Sequence, residues 1–145
     1  MQKQKSRIYS GELPLKGKSA LIIEDNALIA ISAEFCLRDA GATVVRIADS
    51  VASAKSALDE GFPFDVALVD LYLGDTDASP LVQMLLERGV AVVITTGYAV
   101  SRGRPALRTG IDILQKPYTD RDLINAVMKC AAAAPLAPAI NSNFC

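Results

Sequence analysis

Apolar and polar positions alternate in blocks along the chain, and the blocks predict five strand–helix units. The predicted strands are short apolar runs bounded by charged or turn residues: Ser19 to Ile23, Thr43 to Ile47, Phe64 to Leu71, Ala91 to Thr95 and Ile111 to Leu114. Within each run the apolar residues are nearly continuous, as is typical of strands that are buried on both faces of a parallel sheet. Helices should therefore cover both faces of the sheet.

Each predicted strand is followed by a segment with helical spacing. These segments run from Asn26 to a C-terminal Gly41, from Val51 to Glu60, from Ser79 to Arg88, from Ala99 to Leu107, and from Asp120 to Ala132. Ser79 is predicted as an N-cap with Pro80 in the first helical position, and Thr119 and Asp122 have the spacing of a capping box.

Five such units favour an α/β fold of flavodoxin-like (βα)5 type: a doubly wound parallel sheet with strand order 2-1-3-4-5. A closed (β/α)8 barrel needs about 250 residues, so the length excludes it. We expect one domain over residues 17–132, a flexible N-terminal arm over residues 1–16 and a flexible C-terminal tail over residues 133–145. In this fold the functional residues lie at the carboxyl ends of the strands, near the switch point between strands 1 and 3.

Composition narrows the classes of function. The chain has 145 residues, of which 51% are hydrophobic and 21% charged, with a net charge of -1, so no overall basic excess favours binding to nucleic acid. Its apolar runs are much shorter than the ~20 residues that cross a bilayer, and its N-terminus lacks the apolar core of a signal peptide. We therefore expect a cytoplasmic protein without a membrane partner.

The chain has no histidine, which excludes Ser-His-Asp triads, Cys-His pairs and a histidine general base. Its three cysteines, Cys36, Cys130 and Cys145, form no CxxC pair and have no histidine to complete a zinc site. They are expected to be free thiols in a reducing compartment, with Cys36 and Cys130 packed within helices.

Polar residues that suit phosphoryl chemistry stand at the predicted strand ends. Glu24 and Asp25 follow the first strand, Asp70 ends the third, Thr95-Thr96 ends the fourth and Lys116 follows the fifth. Clustered carboxylates around a small cleft suit Mg²⁺, and a lysine with a hydroxyl opposite them suits a phosphoryl group. Asp70 is the predicted nucleophile, because the apolar run VALV (66–69) places it at the end of the central strand.

These motifs, together with VALVDLYL (66–73), VVITTGY (92–98) and ILQKPY (113–118), resemble the receiver domain of two-component response regulators. The resemblance covers roughly Gly17 to Ala132. It implies that Asp70 accepts a phosphoryl group from a histidine kinase or a phosphotransfer protein, and that the domain is not an enzyme acting on a separate substrate.

The resemblance also implies a role for each neighbour of Asp70. Mg²⁺ would be held by Asp25, Asp70 and the backbone carbonyl of Tyr72, with Glu24 acting directly or through water. Lys116 would pair with the phosphoryl oxygens, and its bond to Pro117 is usually cis in the family.

The hydroxyl that binds the phosphoryl group is assigned to Thr96, because family members place it directly before a small residue, here Gly97.

Receivers commonly carry an aromatic residue three positions before the lysine, whereas this chain has Ile113. That departure and the Thr-Gly-Tyr sequence resemble the FATGUY subgroup, which is often paired with HWE-type histidine kinases, although Ile94-Thr95 replaces the Phe-Ala of its motif. Movement of the loop and helix after strand 4, over Thr96 to Leu107, should then carry the signal.

We expect a stand-alone receiver that signals by phosphorylation-dependent protein binding through the face of helix 4, strand 5 and helix 5, as a monomer or weak homodimer. The bulky rings of Tyr72 and Tyr98 predict slow self-dephosphorylation.

Two alternatives remain open: an unphosphorylated receiver-like interaction module, and a small Mg²⁺-dependent phosphatase. Asp75 and Asp77 have the spacing of a phosphatase Asp-x-Asp pair, but they do not directly follow the strand, so they are predicted to be loop residues.

Overall fold

The computed structural model describes residues 11–97 and 111–133. In chain order the elements are β1 (Ser19–Ile23), α1 (Ala27–Asp39), β2 (Val44–Ala48), α2 (Val51–Asp59), β3 (Val66–Asp70), β4 (Tyr72–Leu73), β5 (Thr76–Asp77), α3 (Ser79–Glu87), β6 (Ala91–Thr96), β7 (Ile111–Gln115) and α4 (Asp120–Ala133). The predicted fourth helix, Tyr98 and Cys145 lie outside the described residues.

Five strands form one parallel sheet in the order β2-β1-β3-β6-β7. The predicted order 2-1-3-4-5 is confirmed, because β6 and β7 are the fourth and fifth predicted strands. Their higher numbers reflect a short antiparallel hairpin, β4–β5, which the hydrophobic pattern did not reveal. The hairpin lies between β3 and α3, next to the carboxyl edge of the sheet.

Helices cover both faces of the sheet, and each face has its own apolar core. Side chains alternate between faces along a strand, so Ile22, Leu68 and Val93 pack with α1 and α4, whereas their neighbours Val69 and Val92 pack with α2 and α3. The two layers hold the strands in register and fix the positions of the strand ends.

Local hydrogen bonds explain where the helices begin. The Asn26 side chain accepts hydrogen bonds from the backbone N–H groups of Leu28 and Ile29, at 3.0 and 3.1 Å, and so caps α1. Thr119 and Asp122 form the predicted reciprocal capping box before α4, with both bonds at 3.0 Å.

The prediction for the start of α3 was wrong by one residue. Ala78 is the N-cap and Ser79 is already helical. The reason is Asp77, whose carboxylate accepts the N–H of Ser79 at 2.8 Å and its hydroxyl at 2.6 Å, which draws Ser79 into the first turn.

Residues 11–16 belong to the predicted N-terminal arm, and part of this segment packs against the domain. Leu15 is only 3% exposed, and its N–H donates to the carbonyl of Ala40 at 2.8 Å. The segment passes close to Gly41, whose φ of +108° favours glycine. Leu15 thereby joins the core beneath α1.

Cys36 and Cys130 are buried free thiols in α1 and α4, as predicted. Among the helices of residues 11–97 and 111–133, none combines the length and the apolar character needed to span a membrane.

Candidate functional site

The predicted site residues meet at the carboxyl edge of the sheet. Glu24 directly follows β1, Asp70 ends β3, Thr96 ends β6 and Lys116 directly follows β7. These four strands are parallel neighbours in the sheet, so their carboxyl ends lie side by side. The edge includes the switch point between β1 and β3, where the connections leave toward opposite faces.

Three carboxylates form the acidic part of the site. One carboxylate oxygen from each of Glu24, Asp25 and Asp70 lies within 4.8 Å of the others. Glu24 and Asp70 are buried, with exposures of 4% and 7%, and Asp25 is exposed to solvent. Such a set of hard oxygen donors, open to water on one side, fits Mg²⁺, which binds a few carboxylates and keeps several waters.

Lys116 supplies the positive charge of the site. Its ammonium lies 3.0 Å from Glu24 Oε1 and 3.2 Å from Asp70 Oδ2. Burial acts to lower the pKa of Lys116, but the hydrogen bonds and charges of Glu24 and Asp70 outweigh it, so the net pKa is raised. The bond from Lys116 to Pro117 is cis, as the resemblance implied.

Glu24 is fully engaged within the protein. Burial raises its pKa, and the charge of Asp70 raises it further, against the lowering effect of Lys116 and of the Asn26 N–H. One carboxylate oxygen contacts Lys116, and the other accepts the N–H of Asn26 at 3.1 Å. The residue pattern identified Asn26 only as a helix start, so this second contact was not predicted.

The backbone beside Asp70 is held by strand-end hydrogen bonds. Thr95 pairs with Asp70 in the register of β3 and β6, which places Thr96 one residue further along the edge. The N–H of Leu71 donates to the carbonyl of Thr95 at 2.9 Å, and the N–H of Lys116 donates to the carbonyl of Thr96 at 2.8 Å. Both chain segments are therefore tied to the end of β6.

Tyr72 begins the hairpin directly beside Asp70. Its N–H donates to Asp70 Oδ1 at 3.4 Å, and its side chain is 43% exposed. At the hairpin turn, Gly74 has a φ of +62°, and a Cβ there would lie 3.9 Å from Asp25 Oδ2. The hairpin thus forms one wall of the acidic cluster.

The two aspartates that suggested a phosphatase pair lie on this hairpin and outside the metal-binding cluster. Hydrogen bonds from Ser79 lower the pKa of Asp77. That carboxylate is occupied in starting α3. Asp75 lies in the hairpin turn, as predicted for a loop residue, whereas Asp77 belongs to the two-residue strand β5, so the loop prediction for Asp77 was wrong.

Tyr118 was not singled out by the sequence pattern. Burial, together with the negative charges of Glu24, Asp70 and Asp120, raises the pKa of its phenol to about 12. Its ring packs against the core beneath α1 and α4, where it supports the turn that follows Lys116 and Pro117.

Comparison by sequence gives one family. The model of the response regulator receiver domain matches residues 20–128. No curated protein matches the chain.

Solved structures agree with that family. A response regulator receiver protein from Sinorhizobium medicae WSM419 has 28% identity and a TM-score of 0.69, with the match covering 82% of this chain and 98% of that one. SdrG from Sphingomonas melonis Fr1 has 30% identity and a TM-score of 0.64, covering 79% and 96%. A CheY-like receiver domain protein from Methanospirillum hungatei JF-1 has 27% identity and a TM-score of 0.63, covering 77% and 91%.

Proposed function

This chain belongs to the response regulator receiver domain family, and from that membership we propose that it is a phosphorylation-controlled switch whose acceptor is Asp70. The observation that carries the proposal is the contact of the Lys116 ammonium with Asp70 at 3.2 Å, beside two further carboxylates. Domains of this family are signalling modules rather than enzymes that act on a separate substrate.

The donor is a phosphohistidine on a second protein, because this chain contains no histidine. A carboxylate oxygen of Asp70 attacks the phosphorus, so that a P–O bond forms while the P–N bond of the donor breaks. The electron pair of the broken bond returns to the imidazole nitrogen, and Asp70 becomes an acyl phosphate. A histidine kinase and a phosphotransfer protein both offer this chemistry, and the subgroup resemblance favours an HWE-type kinase.

Mg²⁺ fits the acidic cluster and would be held by Asp25, Asp70 and the backbone carbonyl of Tyr72. When bound, it would offset the negative charge that accumulates as a carboxylate approaches a phosphoryl group. Glu24 has one oxygen on Lys116 and the other on the N–H of Asn26, so its contribution through an intervening water is favoured over direct ligation.

Lys116 and Thr96 bind the transferred group. The ammonium of Lys116 already contacts Asp70. After phosphorylation it would form charge-assisted hydrogen bonds with the phosphoryl oxygens. Thr96 ends the neighbouring strand, and its hydroxyl would donate to another phosphoryl oxygen. Movement of Thr96 toward that oxygen would shift the segment that follows β6.

Phosphorylation then alters binding to a downstream protein. The proposed surface comprises the predicted helix after β6, together with β7 and α4. Ile113 of β7 is half-buried and packs against the core beneath α2 and α3. An aliphatic side chain has no ring to turn inward, so the segment after Thr96 is proposed to carry the change.

A direct test is incubation with phosphoramidate and Mg²⁺, followed by intact-mass measurement of the wild type, Asp70→Asn and Asp75→Asn. The wild type and Asp75→Asn should gain the mass of one phosphoryl group, whereas Asp70→Asn should gain none. Asp75 is the matched control because it is an acidic residue on the adjoining hairpin. An adduct on Asp70→Asn would place the acceptor elsewhere, and no adduct on the wild type would favour the unphosphorylated interaction module.

A further inference from the structure

A cleft with a volume of about 370 Å³ lies at the amino edge of the sheet. Its lining residues include Val66 and Ala91, the first residues of β3 and β6, both of which are buried. Asp70 and Thr96 stand at the opposite ends of the same two strands. The cleft is therefore separate from the proposed phosphorylation site.

The walls of this cleft are mostly apolar. Leu15 and Phe64 line it from one side, and Val127, Met128 and Ala131 line it from α4. Met128 is 46% exposed, so the wall holds a large apolar side chain that is open to solvent. Since an apolar cavity of about 150 Å³ holds a benzene ring, this cleft has room for two apolar side chains.

The carboxylate at the cleft is already engaged within the fold. Asp65 Oδ2 accepts the backbone N–H of Ser19 at 2.8 Å and its hydroxyl at 3.2 Å. A cationic ligand would therefore gain little at Asp65, because burial of its charge must also be compensated. The cleft favours an uncharged, apolar occupant.

Helix α4 brings such a segment to the cleft. The helix begins shortly after β7, at the carboxyl edge, and packs against the sheet, so its C-terminal end lies at the amino edge, where Ala131 lines the cleft. The residues that follow it, 134–145, read APLAPAINSNFC and include no charged side chain. Pro135 cannot continue the helix, and an extended proline-containing chain advances about 3.1 Å per residue. Leu136 thus lies within about 9 Å of the end of α4 at Ala133.

We infer that residues 135–140 occupy this cleft, with Leu136 and Ile140 as the inserted side chains. The inference goes beyond phosphoryl transfer and does not depend on it. A segment tethered to the cleft wall has an effective concentration in the millimolar range, so modest apolar contacts are enough to hold it and a second copy of the chain competes poorly. Docking would tie α4 to the segment around Leu15, and it would limit the flexible part of the expected tail to the residues beyond 140.

The N-terminal residues are less suited to the cleft. Residues 1–10 precede Pro14, which also lines it, and they include the apolar side chain of Ile8. The same ten residues carry three cations, Lys3, Lys5 and Arg7. Bringing these charges against an apolar wall is costly, whereas residues 135–140 carry none.

The test measures how fast hydrogen peroxide oxidises Met128, compared with Met84 in the same protein. Met84 is half-buried on α3, among the residues of the other face, and serves as the internal reference. The proteins are the wild-type chain, Leu136→Asp and the matched control Asn143→Asp. Both substitutions add one negative charge to the chain beyond α4, but only the first changes the docked segment. Digestion and mass spectrometry give the two oxidation rates.

Leu136→Asp should raise the ratio of Met128 to Met84 oxidation at least about threefold, because the released segment exposes the thioether. Asn143→Asp should leave the ratio at the wild-type value. Equal ratios in all three proteins would overturn the inference, and so would an equal rise in both variants.

Nuclear Overhauser effects to the methyl group of Met128 identify the occupant directly. In the wild type they should come from the methyl groups of Leu136 and Ile140 within the same molecule. Contacts from Ile8 would assign the cleft to the N-terminal residues, and contacts between labelled and unlabelled molecules would assign it to a second copy. Either result, or the absence of contacts from Leu136 and Ile140, overturns the inference without bearing on Asp70.

Discussion

The ammonium of Lys116 lies between two buried carboxylates, 3.0 Å from Glu24 Oε1 and 3.2 Å from Asp70 Oδ2. Asp25 adds a third carboxylate oxygen within 4.8 Å of the other two. Lys116 is the one ammonium paired with Glu24 and Asp70 in the described part of the chain, so it offsets their mutual repulsion. The stability of the fold should therefore depend on which cation, the Lys116 ammonium or Mg²⁺, lies among these carboxylates.

Lys116→Met should destabilise the protein when Mg²⁺ is absent and strengthen its binding of Mg²⁺. Removing the ammonium leaves two buried carboxylates uncompensated, which should lower the free energy of unfolding by about 1–3 kcal/mol near pH 7.5. The same excess negative charge attracts a divalent cation more strongly. Urea unfolding, measured by circular dichroism with and without Mg²⁺, checks both effects.

Lys129→Met provides the control for that experiment. Lys129 also pairs with an aspartate, Asp112 at 3.6 Å, but its side chain is 71% exposed, and exposed pairs contribute little to stability. Its unfolding free energy and Mg²⁺ response should match the wild type. Weaker Mg²⁺ binding by Lys116→Met than by the wild type would contradict the proposed metal site.

Thr96→Ala should accept the phosphoryl group but respond to it weakly, whereas Thr96→Ser should respond like the wild type, because only the hydroxyl is needed. Thr95→Val is the control, because Thr95 is 1% exposed and its contact with Leu71 uses the backbone carbonyl. The measurement is the shift in backbone amide resonances of residues 111–116 on addition of beryllofluoride and Mg²⁺. A full response of Thr96→Ala would assign the role to another hydroxyl.

Much of this site was predictable because it lies at strand ends. Apolar runs predict the strands, and the residue after each run must lie at the same edge of the sheet, so the sequence predicts that Glu24, Asp70 and Lys116 lie together. The order of the sheet followed from the same runs and the handedness of the crossovers.

The hairpin β4–β5 was not predictable in this way. Each of its strands has two residues, too few to show a period, and its turn depends on the positive φ of Gly74. The start of α3 was misplaced for a related reason, since a side chain in the preceding loop, Asp77, decides where the helix begins. Contacts between side chains and loop backbone leave little trace in a hydrophobic pattern.

Gly41→Ala should destabilise the protein by about 1–3 kcal/mol. Gly41 has a φ of +108°, and a Cβ there would lie 2.8 Å from the backbone nitrogen of Lys16. Gly61→Ala is the matched control, with a φ of +85° but open space around its Cβ, so it should lose only the conformational part, about 1 kcal/mol. Equal losses in urea unfolding would show that the segment around Leu15 moves aside easily.

The buried thiols predict a loss of stability at alkaline pH. Burial raises the pKa of Cys130 from 9.0 to about 12, so between these values the folded state holds a proton that the unfolded state has released. The free energy of unfolding should therefore fall as the pH rises above 9, by about 1.4 kcal/mol per pH unit for this group. Urea unfolding of Cys130→Ala, followed by circular dichroism at about pH 8 and about pH 10.5, should show a shallower decline in the free energy of unfolding than the wild type shows. An identical slope in the two proteins would mean that Cys130 ionises normally in the fold.

Tyr72 should prolong the life of the acyl phosphate. Its N–H lies 3.4 Å from Asp70 Oδ1, so its side chain begins directly beside the acceptor carboxylate, and at 43% exposure Tyr72 stands at the solvent side of the site. Hydrolysis needs a water molecule to approach phosphorus in line with the bond to Asp70, and a bulky ring narrows that approach.

Tyr72→Ala should therefore lose its phosphoryl group at least about threefold faster than the wild type, a change of roughly 0.7 kcal/mol in the barrier to hydrolysis. Tyr72→Phe should retain the slow rate, because it keeps the ring and removes only the hydroxyl. Decay of intact mass after removal of phosphoramidate measures all three rates, and a wild-type acyl phosphate that lasted only seconds would refute the prediction.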